Sequence, residues 1–352
     1  MAQNNNKGSG LVGEMMLNAD PKKKKSSADL VVEPEAQASE ADSFAKELTQ
    51  TLRETEQAVR SLEMESDELV AKSWERARSV IEEFKPVPWF IWRLSNYVLG
   101  TSGQINKASE GLVFGLRRLL FAAASDSVLG VGEKVNSVHR ALAVLEPDVL
   151  AASAVIHAVC RRLSTRQFER IWRPILDDAL LRAQIGFFVG SQQADFGAGR
   201  GMLAGFAGRC GLAILIAGGE LEQARNALEM LATGAEIKQV GLSIYGCDPL
   251  QVSAMTLSAS GCGRDSAFGT VAYSAAGKLG NAVSLTAPQV SWQAAFMVTE
   301  CIRVGKIEDV PEEHWSALQF DSEAARKELG DKAKIALRRG HGWNWLGAAA
   351  KE

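Results

Sequence analysis

The chemistry-bearing residues of this 352-residue chain are four histidines, a pair of adjacent carboxylates, a glycine-rich pentapeptide and one arginine inside an apolar run. The histidines, His139, His157, His314 and His341, are scattered, and no two have the i, i+4 spacing that sets two imidazoles on one helix face. Asp177 and Asp178 are adjacent, so on a helix they diverge by about a hundred degrees. One of them is expected to pair with a neighbour such as Arg173 or Arg182, four residues away on either side. Gly197-Ala-Gly-Arg-Gly201 opens a helical pattern and could cradle a phosphate through its N–H groups. It lacks the Lys-Ser/Thr ending of a phosphate-binding loop, and simple loop flexibility is the plainer reading. No G-x-S-x-G elbow for a serine nucleophile occurs. The five cysteines, Cys160, Cys210, Cys247, Cys262 and Cys301, are odd in number and form no C-x-x-C pair, which fits reduced thiols rather than a disulfide framework or a zinc site. Cys210 and Cys247 read as small buried fillers and His157 as a core histidine.

Arg209 stands apart. It sits in the middle of GMLAGFAGRCGLAILIAG (201–218), the most apolar run of its length. A buried helix with one charge at its centre faces a pocket or a partner. Functionally, Arg209 would receive a phosphate or a partner's carboxylate. Structurally, it would close an internal salt bridge with Asp177, Asp178 or Asp248, and this is the favoured expectation because buried charges are normally paired.

The elements that must hold these residues are helical. Ala and Leu are abundant, and Val-Ile-Thr-Tyr alternation is scarce, which predicts an all-α fold. Apolar periodicity places helices near 89–98, 112–127, 138–144, 147–163, 168–189, 201–218, 221–233, 235–245, 249–260, 266–273 and 290–304, with Pro174 near the start of the fifth. Residues 1–41 are polar and read as a disordered tail. Within it, Lys22, Lys23, Lys24 and Lys25 form a basic block followed by an acidic segment at 33–42. The block is either a tether to nucleic acid, an acidic partner or anionic lipid, or a solvated linker, which is the plainer reading. Residues 42–84 read as one or two amphipathic helices that dimerise or pack on the domain, 85–320 as the main helical domain, and 321–352 as a charged helical tail interrupted by Gly330. Trp343 and Trp345, near the end, are expected to dock on the domain rather than anchor a partner. A hydrophobic fraction of 46% supports a sizeable core, and a net charge of -3 gives no global field for nucleic acid. No secretory pattern is visible near the N-terminus, and Arg209 and the glycines mark 201–218 as a core helix. A soluble cytoplasmic protein is the expectation.

Six segments in order resemble the HDOD family, a divergent branch of the HD phosphohydrolase superfamily. Phe84-Lys-Pro-Val-Pro88 is similar to its LPPLP opening, and Leu116-Arg-Arg-Leu-Leu-Phe-Ala-Ala-Ala-Ser125 to its LxRLLRLANS helix. Val135-Asn-Ser-Val-His-Arg-Ala-Leu142 resembles ITSVxxAL, and Phe168-Glu-Arg-Ile-Trp-Arg173 resembles FWRHS. Ala204-Gly-Phe-Ala-Gly-Arg-Cys-Gly211 corresponds to AGLLHDIG, and Gly246-Cys-Asp248 with Gln251-Val252 to GxDHAEVG. The resemblance implies an all-helical domain with a role in bacterial signalling or regulation. It also implies that the metal-binding positions of an active HD site fall here on Pro174, on Gly208 and Arg209, on Pro249, and at about Ser274. Proline and glycine have no ligand group, and Arg209 brings a fixed positive charge to where a cation would sit. The expectation is a non-catalytic module with no metal or cofactor, which holds a protein partner and has room for a nucleotide ligand. The alternatives are a diverged phosphohydrolase or cyclic-dinucleotide phosphodiesterase, and an adaptor tethered by the basic N-terminal block.

Overall fold

The computed structural model describes residues 34–60, 68–101, 115–274, 284–339 and 343–348. Among these residues no strand forms. The chain divides into two compact units, Met1–Ala45 and Lys46–Glu352. Of the first, only the opening of α1 (Pro34–Arg60) is described. Residues 34–41, read from the sequence as part of the polar tail, belong to α1, and the rest of that tail lies outside the described residues. Pro34 suits a first helical position, and the Ala- and Glu-rich sequence after it favours helix. The basic block Lys22 to Lys25 lies outside the described residues.

The second unit continues with α2 (Glu68–Phe84), α3 (Trp89–Ser95, extended by a π-turn at Asn96–Thr101), α4 (Arg117–Ser125), α5 (Val138–Val144), α6 (Pro147–Ser164) and α7 (Glu169–Gly190). Then follow α8 (Ala198–Gly218), α9 (Leu221–Ala232), α10 (Ile237–Val240, running into a π-turn at Gly241–Tyr245), α11 (Pro249–Ala259), α12 (Arg264–Ser274) and α13 (Ala287–Val304). The last are α14 (Glu312–Ala317), α15 (Glu323–Arg339) and α16 (Asn344–Ala348). Proline at the first turn opens α6 and α11, and Gly305, at φ +76°, ends α13. One expectation needs correction. Gly330 does not interrupt the charged tail; α15 runs through it. One exposed-helix glycine costs about 1 kcal/mol, which the Ala, Leu, Lys and Glu around it offset.

Helix α8 is the hub. It is apolar on all faces and packs against α6, α7, α11 and α13. By length and composition it could cross a membrane, yet 83% of its most apolar window is buried inside the fold. It meets α7 backbone to backbone. A Cβ on Gly186 would strike the Gly201 carbonyl, one on Gly201 the Gly186 carbonyl, and one on Gly205 the Arg182 carbonyl. Gly205 and Arg209 are four residues apart and share a helix face, so this crossing also brings Arg209 beside Arg182. From the other side, Ser253 of α11 donates its hydroxyl to the Ala207 carbonyl and accepts the Gly211 N–H at 3.1 Å, the pair that an α-helix joins directly.

The amphipathic N-terminal helices pack on this core: the hydroxyls of Thr55 (α1) and Ser258 (α11) lie 2.7 Å apart, and Ser73 (α2) bonds Gln251. At the other end Trp343 is buried edge-on to Phe187, with ring centres 5.7 Å apart. Trp345 donates its indole N–H to Asp126 at 3.2 Å. His157 donates Nδ1–H to the Leu346 carbonyl at 3.0 Å, since a carbonyl can only accept. His157 is thus a docking point for α16.

Burial holds His157 and His314 below the ordinary histidine range; at His157 the Leu346 carbonyl opposes this and Arg161 adds to it. The unfolded chain keeps the ordinary value of 6.5. As pH falls through that value, the unfolded state takes up protons before the folded state does, so stability falls. The denaturation midpoint is expected to decline between about pH 7.5 and 5.5, and less steeply in His157→Gln. A flat or rising midpoint over that window would contradict the burial of these rings.

Candidate functional site

A cavity of about 630 Å³ lies among α7, α8, α9, α10, α11, α12 and α13. Of the residues that the resemblance assigns to HD-type positions, Gly208, Arg209 and Ser274 line it. Pro249 does not, although its neighbour Leu250 does; the Pro249 carbonyl instead backs onto the Cα of Gly211. Pro174 is exposed and stands apart from the cavity. The reason is the crossing point. Helix α7 touches α8 through its C-terminal half, so the residue it presents to the cavity is Arg182.

Arg182 and Arg209 share two carboxylates. Arg182 Nε lies 2.8 Å from Asp178 Oδ2, and its other nitrogens reach Glu300 of α13. Arg209 Nε lies 3.4 Å from the same Asp178 oxygen, and Nη2 lies 3.4 Å from Glu300 Oε1. Nη1 of Arg209 donates to the Gly208 carbonyl at 2.9 Å. Arg303 completes the cluster, with Nε 2.7 Å from Asp178 Oδ1. Three guanidiniums therefore face two carboxylates. Asp177 pairs separately with Arg173 at 2.9 Å, so each member of the adjacent pair has its own arginine.

The charges are not equally at ease. Burial pulls the Asp178 carboxyl upward, but the Arg182 and Arg303 guanidiniums outweigh it and hold the group below the usual carboxylate range. Arg209 is held below the usual arginine value by burial and then by the like charge of Arg182, and Glu300 and Asp178 offset only part of this. Arg209 is thus the surplus charge, and it faces the cavity. Tyr273, stacked on Phe296 at 5.8 Å, forms part of the wall, its hydroxyl pushed up to about 12 by burial and by Glu300.

Asp248 does not join this cluster. It is buried and caps α11, accepting the Leu250 N–H at 2.8 Å, with Lys238 Nζ 3.6 Å and Ser274 Oγ 3.5 Å from its other oxygen. Burial raises its carboxyl above the ordinary value against the pull of the Leu250 N–H and Lys238.

The residues at this site do not fit a divalent ion. Gly208 and Pro249 carry no donor, Arg209 is a cation, and Asp178 and Glu300 are already held by guanidiniums. Among the described residues no three His, Cys, Asp or Glu side chains converge to hold a metal. The glycine-rich pentapeptide is not open to phosphate either. Ala198 to Gly201 form the first turn of α8, and the Gly199 N–H is occupied by Asp148 Oδ2 at 2.7 Å. Cys210 and Cys247 are fully buried free thiols, each pushed up to about 12 by burial.

No family model matches the sequence, and no curated protein matches it. Solved structures do. The chain superposes on a candidate signal transduction protein from Marinobacter aquaeolei VT8 with a TM-score of 0.55 and 15% identity, covering 83% of this chain and 68% of that one. It superposes on an HDOD domain protein of unknown function from Geobacter sulfurreducens with a TM-score of 0.55 and 13% identity, covering 79% of this chain and 98% of that one. This chain has the HDOD fold. Of the six sequence segments, 204–211 lies within α8, 168–173 opens α7, and 246–252 leads into α11, both of which pack on α8.

Of the three partners that sequence reasoning offered for Arg209, Asp178 is the one it meets, and Glu300, Arg303, Lys238 and Tyr273 were missed. Only Glu300 left a trace, as an acid inside the apolar stretch 294–302.

Proposed function

We propose that this chain is a non-catalytic regulatory module of bacterial signalling, acting in the cytoplasm, that holds a protein partner through its HDOD-like helical surface. The observation that carries the reading is the guanidinium pair at the centre of the fold. Where hydrolysis would need ligands for a cation, Arg182 and Arg209 share Asp178 and Glu300. The likeness to a candidate signal transduction protein supports the signalling context.

Arg209 gives the reading a chemical handle. Its charge is in excess of its partners and lines the cavity, so it suits a carboxylate presented by the partner. Because it is held unfavourably, Arg209→Met is expected to leave stability within about 1 kcal/mol of the parent or to raise it. The same variant is expected to lose the proteins that co-purify with the parent chain from its own host. Purified protein assayed with added manganese or magnesium should not turn over phosphodiesters. Stoichiometric bound metal together with turnover would overturn the proposal, as would partner capture unaffected by Arg209→Met.

A further inference from the structure

A second cavity, of about 670 Å³, lies between the start of α3, the start of α4 and the C-terminal half of α6. It shares no lining residue with the cavity at Arg209. Four arginines line it: Arg117 and Arg118 from the first turn of α4, and Arg161 and Arg162 from the last turns of α6. No carboxylate lines it among the described residues. Nor do the arginines find acids elsewhere among those residues. Arg162 Nε donates to the Lys85 carbonyl at 3.3 Å, Arg117 stands over the Phe121 ring at 5.9 Å, and Arg118 and Arg161 have no ion pair. Arg166, at the edge of the same region, has Glu83 at 3.6 Å. Here four positive charges are gathered in one concavity of a chain whose net charge is -3.

Two of the four stand where helix energetics disfavours them. The first turn of a helix carries partial positive charge, and α4 has no acidic residue there. Arg117 and Arg118 therefore add charge to an already positive end, and the helix has no side-chain cap. Helix stability does not account for that placement, whereas an anion between α4 and α6 would meet both the guanidiniums and the α4 terminus. Phe90, Ile91, Leu116 and Leu119 give the wall an apolar part, beside His157 and Thr165.

We propose that this cleft binds an organic di- or triphosphate ester, with the phosphates on Arg117, Arg118, Arg161 and Arg162 and the apolar or aromatic body against Phe90, Ile91 and Leu116. The volume falls in the range of small-ligand sites. A long nucleic acid is disfavoured by the net negative charge of the whole chain. The arginine fork suits phosphate oxygens better than lysine would.

The test is calorimetric titration of the full chain, at near-physiological salt, with four probes: adenosine triphosphate, farnesyl diphosphate, inorganic triphosphate and a short single-stranded RNA. One of the two organic probes is expected to bind at least tenfold more tightly than inorganic triphosphate and RNA, and it names the kind of body the wall accepts. Arg118→Glu and Arg161→Ala are each expected to weaken that binding roughly tenfold or more. The melting temperature of free Arg118→Glu should rise, because the substitution relieves the α4 terminus. Arg209→Met should bind the probe like the parent, which separates this site from the central one. Heat with no probe, inorganic triphosphate or RNA matching the organic esters, or binding unchanged by Arg118→Glu and Arg161→Ala would each overturn the proposal.

Discussion

Arg182→Ala is expected to destabilise the folded chain by about 3 kcal/mol, the lower end of what breaking a buried ion pair costs. The lower end applies because Asp178 and Glu300 keep 20% and 25% of their side-chain surface in contact with solvent, whereas Arg182 keeps 2%. Without Arg182, Glu300 retains only the longer contact to Arg209 at 3.4 Å, while Asp178 still has Arg303 at 2.7 Å. Arg182→Lys should recover little, because an ammonium cannot span two carboxylates as the planar fork does. Chemical denaturation of the three proteins, together with Arg209→Met, gives the comparison. The two arginines share both acids, yet one should matter greatly and the other hardly at all. If Arg182→Ala loses less than about 1 kcal/mol, the cluster is not the electrostatic centre described here.

Gly205→Ala is expected to be as damaging, for a steric reason. The added methyl group would lie inside the contact radius of the Arg182 carbonyl and near the Ala183 nitrogen, both backbone atoms that no rotamer change can move. Helices α7 and α8 would have to separate along a crossing where Gly186, Gly201 and Gly205 bring the two backbones together. Overpacking of this kind costs about 1–3 kcal/mol where side chains can adjust, and about 3 or more here. A fall in melting temperature of roughly 5–10 °C is the expected readout. Gly208→Ala is the control within the same helix. Its added methyl group meets only the flexible Arg182 Cδ at 3.8 Å. Better helix propensity then favours alanine by up to about 1 kcal/mol. Equal losses at Gly205 and Gly208 would show that the cost lies in helix chemistry and not in the crossing. The comparison also shows that no backbone contact reserves position 208 for glycine.

Much of the fold was legible because it rests on local physics. Pro147 and Pro249 announce helix starts, Gly234 and Gly305 announce stops, and the run around Arg209 has no polar face, so it had to be surrounded. Tail boundaries were read less well. Gly330 looked like a break because propensity is a weak prior, and strong helix formers on both sides override it. The candidate site was legible only in outline. Residues four apart on one helix, such as Asp178 and Arg182, announce their pairing. Arg209 and Glu300 are 91 positions apart, and no periodicity relates them.

The sequence by itself determined that the chain is helical and that its central helix is buried, and these follow from composition and from spacing along one helix. That an arginine stands where an HD-type site would need a ligand is what the resemblance to the HDOD family implies. Only the tertiary structure decided which carboxylates receive that arginine, that Pro174 stays outside, and that four arginines from α4 and α6, with no carboxylate partner among the described residues, converge on one cleft. The physical reason is that helix crossings are set by backbone contact at glycines such as Gly186, Gly201 and Gly205. Where two helices cross decides which of their distant residues meet.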